Sequence, residues 1–164
     1  MVTIRRATEA DSQGIVLVMR TVVAERAYSA IDEAWTIDEE RRYLRSLSAR
    51  EALHVAIADS GQIVGVQSFD LWAPSMQSMR HVGQLGTFQL PEWRRRGVGG
   101  ELFQRTVLFA RSAGYSKIAI QVRASNVHAQ AFYQRLGFQE CGRLRRQVRI
   151  DGQEDDEVLM EYFL

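Results

Sequence analysis

The chain has 164 residues, the size of one domain and too short for two with a linker. With 46% hydrophobic and 25% charged residues it has the composition of a soluble globular protein, which excludes disordered and fibrous classes. Twenty-one basic against twenty acidic residues leave a net charge of +1. That lacks the positive field of a general nucleic-acid binder and points to a small-molecule partner.

Val2 to Arg6 reads as a strand. Thr8 and Asp11 offer oxygens for a helix start before an amphipathic run through Ile15, Val18, Met19, Val22 and Val23. The stretch Tyr28 to Trp35 breaks that pattern. Thr36 with Glu39 makes a capping box for a second helix carrying Tyr43, Leu44 and Leu47. Leu53 to Ala58 and Ile63 to Leu71 are apolar strands joined by the turn Asp59-Ser60-Gly61-Gln62. A further strand is predicted from Met79 to Leu90, its Gly83 and Gly86 suiting a bulge or a close approach. Pro91 ends it, and a helix starts near Val98 and stops at Gly114. Ile118 to Val122 is predicted to pair in parallel, since a crossover helix of the right length precedes it. Another helix carries Ala129, Phe132, Tyr133 and Leu136 and ends at Gly137. Two strands flank the hairpin signal Asp151-Gly152. The order is strand, two helices, three strands, helix, strand, helix, two strands, a mixed α/β sheet covered by helices.

The single cysteine, Cys141, has no partner for a disulfide and no nearby Cys/His cluster for a metal. No apolar run reaches 18 residues, and nothing near the start has signal-peptide character. A reducing, cytoplasmic setting without membrane association is expected.

The informative segment is Gly86 to Gly100, where a strand end, a cationic glycine-rich turn and a helix start follow one another. Free backbone N–H groups and the positive end of the helix dipole meet there. Glycines allow close approach, and Arg94, Arg95 and Arg96 add full charges. This is an anion site, best suited to a diphosphate. It is neither a P-loop, because Glu101-Leu102 follow Gly100, nor a dinucleotide G-x-G-x-x-G, because Leu102 stands at the last glycine.

Arg94-Arg95-Arg96-Gly97-Val98-Gly99 resembles the R/Q-x-x-G-x-G/A motif of the GNAT superfamily of acyl-CoA-dependent N-acetyltransferases. Asn126 to Phe138 is similar to that family's N-x-x-A-x-x-x-Y-x-x-x-G-F segment. The element order agrees over nearly the whole chain. The resemblance implies a mostly antiparallel sheet splayed at a central parallel pair, about four helices, and one domain over 1–164. It also implies acetyl-CoA as co-substrate, its pyrophosphate on Arg94, Arg95, Arg96, Gly97, Val98, Gly99 and Gly100, and its pantetheine along Phe88, Gln89 and Leu90. Tyr133 matches the residue that protonates the departing sulfur, and Asn126 matches a cofactor-side polar residue, a place it can equally occupy as a helix cap. Dimers are common in the family.

The implied reaction is direct attack of a primary amine. An amine of pKa about 10.4 is neutral only about once in 2,500 molecules at pH 7, a cost of roughly 4.6 kcal/mol. No acid lies between Met79 and Leu90 to take that proton. A water relay held by backbone carbonyls is expected, with His81 a minor candidate. The resemblance implies that the segment joining the first two helices covers the acceptor side, where the aromatics and acids of Tyr28 to Trp35 suit an ammonium group; a solvated loop accounts for them equally. A free amine such as an amino acid, toxin or antibiotic is the expected acceptor. A protein or peptide N-acetyltransferase and a non-catalytic acyl-CoA-binding or sensing module are the alternatives. Residues 1–78 carry net −3 and residues 79–164 net +4, a division suited to a cationic acceptor and an anionic co-substrate.

Overall fold

In the computed structural model, which describes residues 1–164, the chain begins with β1 (Val2–Arg6), α1 (Ser12–Ala24), α2 (Ile37–Ser46), β2 (Ala52–Ala58), β3 (Ile63–Leu71) and β4 (Val82–Gln89). It continues with α3 (Val98–Ser112), β5 (Lys117–Arg123), α4 (Val127–Leu136), β6 (Gln139–Ile150) and β7 (Gln153–Phe163). Local chemistry fixes the boundaries. Asp11 accepts the Thr8 N–H and a two-pronged pair from Arg5 just before α1. Thr36 Oγ1 accepts from Glu39 N while Glu39 accepts from Thr36 N, closing the capping box on α2. Asp151 and Gly152 both adopt positive φ, +51° and +78°, as a tight hairpin between twisted strands requires. No helix is long and apolar enough to cross a membrane.

The seven strands form one sheet in the order β1-β2-β3-β4-β5-β7-β6. Every neighbouring pair is antiparallel except β4 with β5. That parallel pair is short: Val82 faces Lys117, Gly83 faces Ile118 and Gln84 faces Ala119. Beyond Gln84 the two strands share no further rung, so the sheet is splayed along the rest of β4. Apolar side chains gather in two clusters. One centres on Phe69, Phe103, Ile118 and Met160, the other on Ile15, Val55, Val66 and Leu102. Among the helices only α3 enters both, with Val98 and Leu102 in one and Phe103, Val107 and Ala110 in the other.

Two expectations for β4 are corrected. The strand starts at Val82 rather than Met79, because residues 77–79 form a turn of 3-10 helix. The bulge expected at Gly83 or Gly86 is absent, since β3 and β4 pair without a register shift from Leu71–Gly83 to Gly65–Gln89. Gly83 serves packing instead. A Cβ there would lie 2.2 Å from Phe69 Cζ, and that fully buried ring is itself fixed edge-on against Tyr115 at 4.8 Å. Gly83→Ala is therefore expected to cost about 2–3 kcal/mol by overpacking and to lower the melting temperature by roughly 4–10 °C. A thermal denaturation curve matching that of the parent would contradict this.

Candidate active site

The parity of β4 decides which backbone groups enter the splay. Leu90 N donates to Val64 O, and Trp72 N donates to Val82 O. Even-numbered residues of β4 thus turn their amide and carbonyl toward β3. By strand alternation, Leu85, Thr87 and Gln89 turn theirs toward β5, where no rung remains to take them. Of the three residues expected along this edge, Gln89 presents its backbone to the opening, whereas Phe88 and Leu90 spend theirs on β3. Leu90 also buries its side chain in a core cluster. Thr87 belongs to the edge and was missed, because a sequence carries no sign of which edge a strand leaves free.

The glycine-rich turn leads straight into α3. Gly97 sits at φ +86° as the residue before α3, a left-handed conformation that penalises any side chain, and Arg95 is also left-handed at φ +59°. The N–H groups of residues 95 to 100 donate to no acceptor in the protein, and the first intrahelical bond is Glu101 N to Gly97 O. Six unpaired N–H groups and the positive end of a 15-residue helix lie together at one end of the splay. At Gly99 a Cβ would lie 2.4 Å from Gln89 Nε2 and 3.0 Å from Phe132 Cζ, so glycine keeps the loop against the β4 end. These features fit an extended thioester carrying a diphosphate: an unpaired strand edge for amide-rich chain and a nest of amides for phosphate oxygens.

The three arginines divide. Arg95 and Arg96 are exposed, Arg96 lying over the Trp93 ring at 5.4 Å. Arg94 is half-buried, makes a two-pronged pair with Glu25, and stacks on Tyr28 at 4.5 Å. The same strap between α1 and α2 is held from the other side. Asn126 Nδ2 donates to Tyr28 O at 3.1 Å, and Arg123 donates to Arg26 O at 2.8 Å. Asn126 also caps α4, accepting from Ala129 N at 3.1 Å. Its side chain thus joins the helix start to the strap.

Tyr133 projects from α4 into the splay. It is 6% exposed, and its hydroxyl donates to Thr87 Oγ1 at 2.9 Å. Gln67 Nε2 donates to the same oxygen at 2.8 Å, leaving Gln67 Oε1 buried without a partner. Burial pushes the Tyr133 phenol up to about 12, with the Thr87 hydrogen bond working in the opposite direction. Tyr133 is therefore a proton-bearing donor at any ordinary pH. His81 is exposed and precedes β4 at the paired end of the β4–β5 contact, away from the splay.

On the other face of the sheet, α1, α2 and the strap enclose a cavity of about 250 Å³ against β3 and β4, floored by Val66, Ser68 and Phe88. Trp35 and Tyr43 pack at 5.3 Å on its rim. Tyr43 donates to Asp70 at 2.6 Å. Glu40 lines the cavity at 3% exposure, its Oε1 without a partner. Burial alone pushes this carboxyl up to about 7. Sequence reasoning did not single out Glu40 or Asp70, although Glu40 shares the apolar helical face of Tyr43, Leu44 and Leu47, where a carboxylate is out of place. No group of three or more His, Cys, Asp or Glu side chains is placed to hold a metal.

Known proteins resemble this chain. Over 151 residues the chain is 27% identical to the N-alpha-acetyltransferase RimI of Mycobacterium tuberculosis, spanning 92% of this chain and 87% of that protein. It is 24% identical over 145 residues to the L-methionine sulfoximine/L-methionine sulfone acetyltransferase of Pseudomonas paraeruginosa, spanning 87% and 83%. A GNAT superfamily phosphinothricin acetyltransferase (Pat) from Sinorhizobium meliloti, solved in complex with AcCoA, superposes with a TM-score of 0.91 at 20% identity, covering 99% of this chain and 88% of that one. At that identity the likeness is one of fold. The profile of the Acetyltransferase (GNAT) family matches residues 21–138, a span that takes in the strap, the amide nest, Asn126 and Tyr133. By that match, and by the splayed sheet that carries these groups, the chain belongs to the GNAT family of acetyltransferases.

Proposed function

We propose that residues 1–164 form one N-acetyltransferase domain that moves an acetyl group from acetyl-CoA to a primary amine of a small molecule. The observation that carries this reading is the meeting of six unspent amides at residues 95 to 100 with the unpaired edge of β4. The amides, with Arg95 and Arg96, hold the diphosphate. The backbone of Thr87 and Gln89 continues the sheet to the pantetheine. When bound, the thioester supplies an activated acyl carbon: the amine nitrogen bonds it as the C–S bond breaks, and the ammonium's two surplus protons end on the CoA sulfur and in solvent.

Tyr133, whose hydroxyl meets Thr87 at the unpaired edge of β4, is assigned to the departing sulfur. Its role is bounded by magnitude. Complete transfer from a phenol of pKa about 12 to a thiolate of conjugate pKa about 8.5 is uphill by roughly 5 kcal/mol. Tyr133 therefore acts as a hydrogen-bond donor that turns its proton from Thr87 Oγ1 to the developing thiolate, whose own proton comes finally from the amine or from water.

Gly99→Glu tests the placement of the diphosphate. It puts a side chain into the contact with Gln89 and Phe132 and a negative charge among the amides. Calorimetry is expected to show acetyl-CoA affinity reduced by about 100-fold or more. Gly100→Glu, where a Cβ meets nothing within 4 Å, adds the charge without the crowding and is expected to weaken binding as well. Parental affinity in both variants refutes the placement.

A further inference from the structure

Resting on the acetyltransferase reading, with the acceptor side under α1 and α2, we infer that the cavity there selects amines with an apolar body and no carboxylate. The ammonium group is received by Glu40.

The argument starts from the lining. Ten of its fourteen residues are hydrophobic, and none is Lys, Arg or His. The charged members are all acids: Glu33 from the strap, Glu40 from α2 and Asp70 from β3. The remaining titratable member, Tyr43, spends its proton on Asp70. Asp70 is thereby partly satisfied, whereas Glu40 is not. Glu40 lines the cavity with no Lys, Arg or His beside it; a carboxyl held at 3% exposure without a cation is costly, and an alkylammonium in the cavity would supply both charge and donors.

The same lining rejects an acid. A free amino acid would bring its carboxylate into a cavity lined by Glu40, Asp70 and, at its exposed edge, Glu33, with no cation to meet it. The floor of Val66 and Phe88 and the rim of Trp35 and Tyr43 suit a ring or a branched chain, and Trp35 and Tyr43 add ring faces for a cation. At about 250 Å³ the space lies just below the roughly 300–1,000 Å³ of drug-sized ligand sites. It is matched to one small amine. Phe88 alternates with Thr87, whose backbone faces the splay, so the cavity floor and the thioester edge belong to adjacent residues of one strand.

Matched pairs of amines test this with the whole protein. 3-Methylbutylamine, 2-phenylethylamine and tryptamine are each compared with the α-amino acid of the same side chain, leucine, phenylalanine and tryptophan, by release of CoA thiol from acetyl-CoA. Acetyl-CoA binding is measured separately by calorimetry. The expected result is a kcat/KM at least about 100-fold higher for the best amine than for its carboxylated partner, with phenylalaninamide recovering most of the loss. Glu40→Gln is expected to raise KM for that amine about tenfold or more while leaving the acetyl-CoA Kd unchanged. The inference is overturned if the amino acids are used as well as the amines, if none of these compounds is turned over although acetyl-CoA binds, or if Glu40→Gln leaves the amine KM unchanged. Failure of acetyl-CoA itself to bind overturns the acetyltransferase reading instead.

Discussion

Tyr133→Phe is expected to lower kcat about 100-fold, the usual effect of removing one preorganised donor from a developing anion. Acetyl-CoA affinity should stay within about twofold. The substitution deletes one oxygen and leaves the ring, whose contacts with Phe132 at 5.1 Å and Phe138 at 5.3 Å carry the packing. Its structural cost is one hydrogen bond to Thr87, about 1 kcal/mol and too little to unfold a domain of this size. A purely packing role for Tyr133 predicts an intact kcat with a slightly lower melting temperature. Steady-state kinetics with the best amine, beside calorimetry with acetyl-CoA, separates the two outcomes. Unchanged kcat removes Tyr133 from the chemistry.

Glu40→Gln should stabilise the protein, increasingly so as the pH rises. Burial lifts the Glu40 carboxyl from the ordinary value of 4.5 to about 7. Between those two values the folded protein keeps a proton that the unfolded chain gives up. Stability therefore falls as pH climbs through this window, and above it the full penalty applies. The difference corresponds to at most about 3 kcal/mol, or roughly 5 °C or more in melting temperature for a chain of this length. Gln has nearly the same volume and cannot ionise. Its melting temperature should match the parent's near pH 4, below the window, and exceed it near pH 8. A gap that does not widen with pH contradicts the burial of an unpaired carboxylate. Stability gained together with amine affinity lost is the pattern of a residue kept for binding at the expense of the fold.

Much of the architecture was legible because the deciding signals are local. The Thr36–Glu39 box, the Asp151-Gly152 turn and the apolar spacing of α1, α3 and α4 each settle an element without long-range information. The amide nest was legible for the same reason, since a left-handed glycine before a helix start is written in adjacent residues. Long-range facts were not. Gly83 looked like a bulge because its neighbour in space, Phe69, is fourteen positions away in sequence. Arg94 looked equivalent to Arg95 and Arg96 until Glu25 and Tyr28 claimed it from the strap. The edge residue Thr87 and the buried carboxyl of Glu40 depend on which side of a strand is unpaired and which face of a helix is sealed, and both are settled only by packing.

The brevity of the contact between β4 and β5 has a mechanical meaning. Three rungs tie one half of the sheet to the other, and α3 is the helix with side chains sunk in the apolar clusters on either side of that line. Its first turn bears the unspent amides. A ligand gripping those amides would therefore hold the one helix that both halves share.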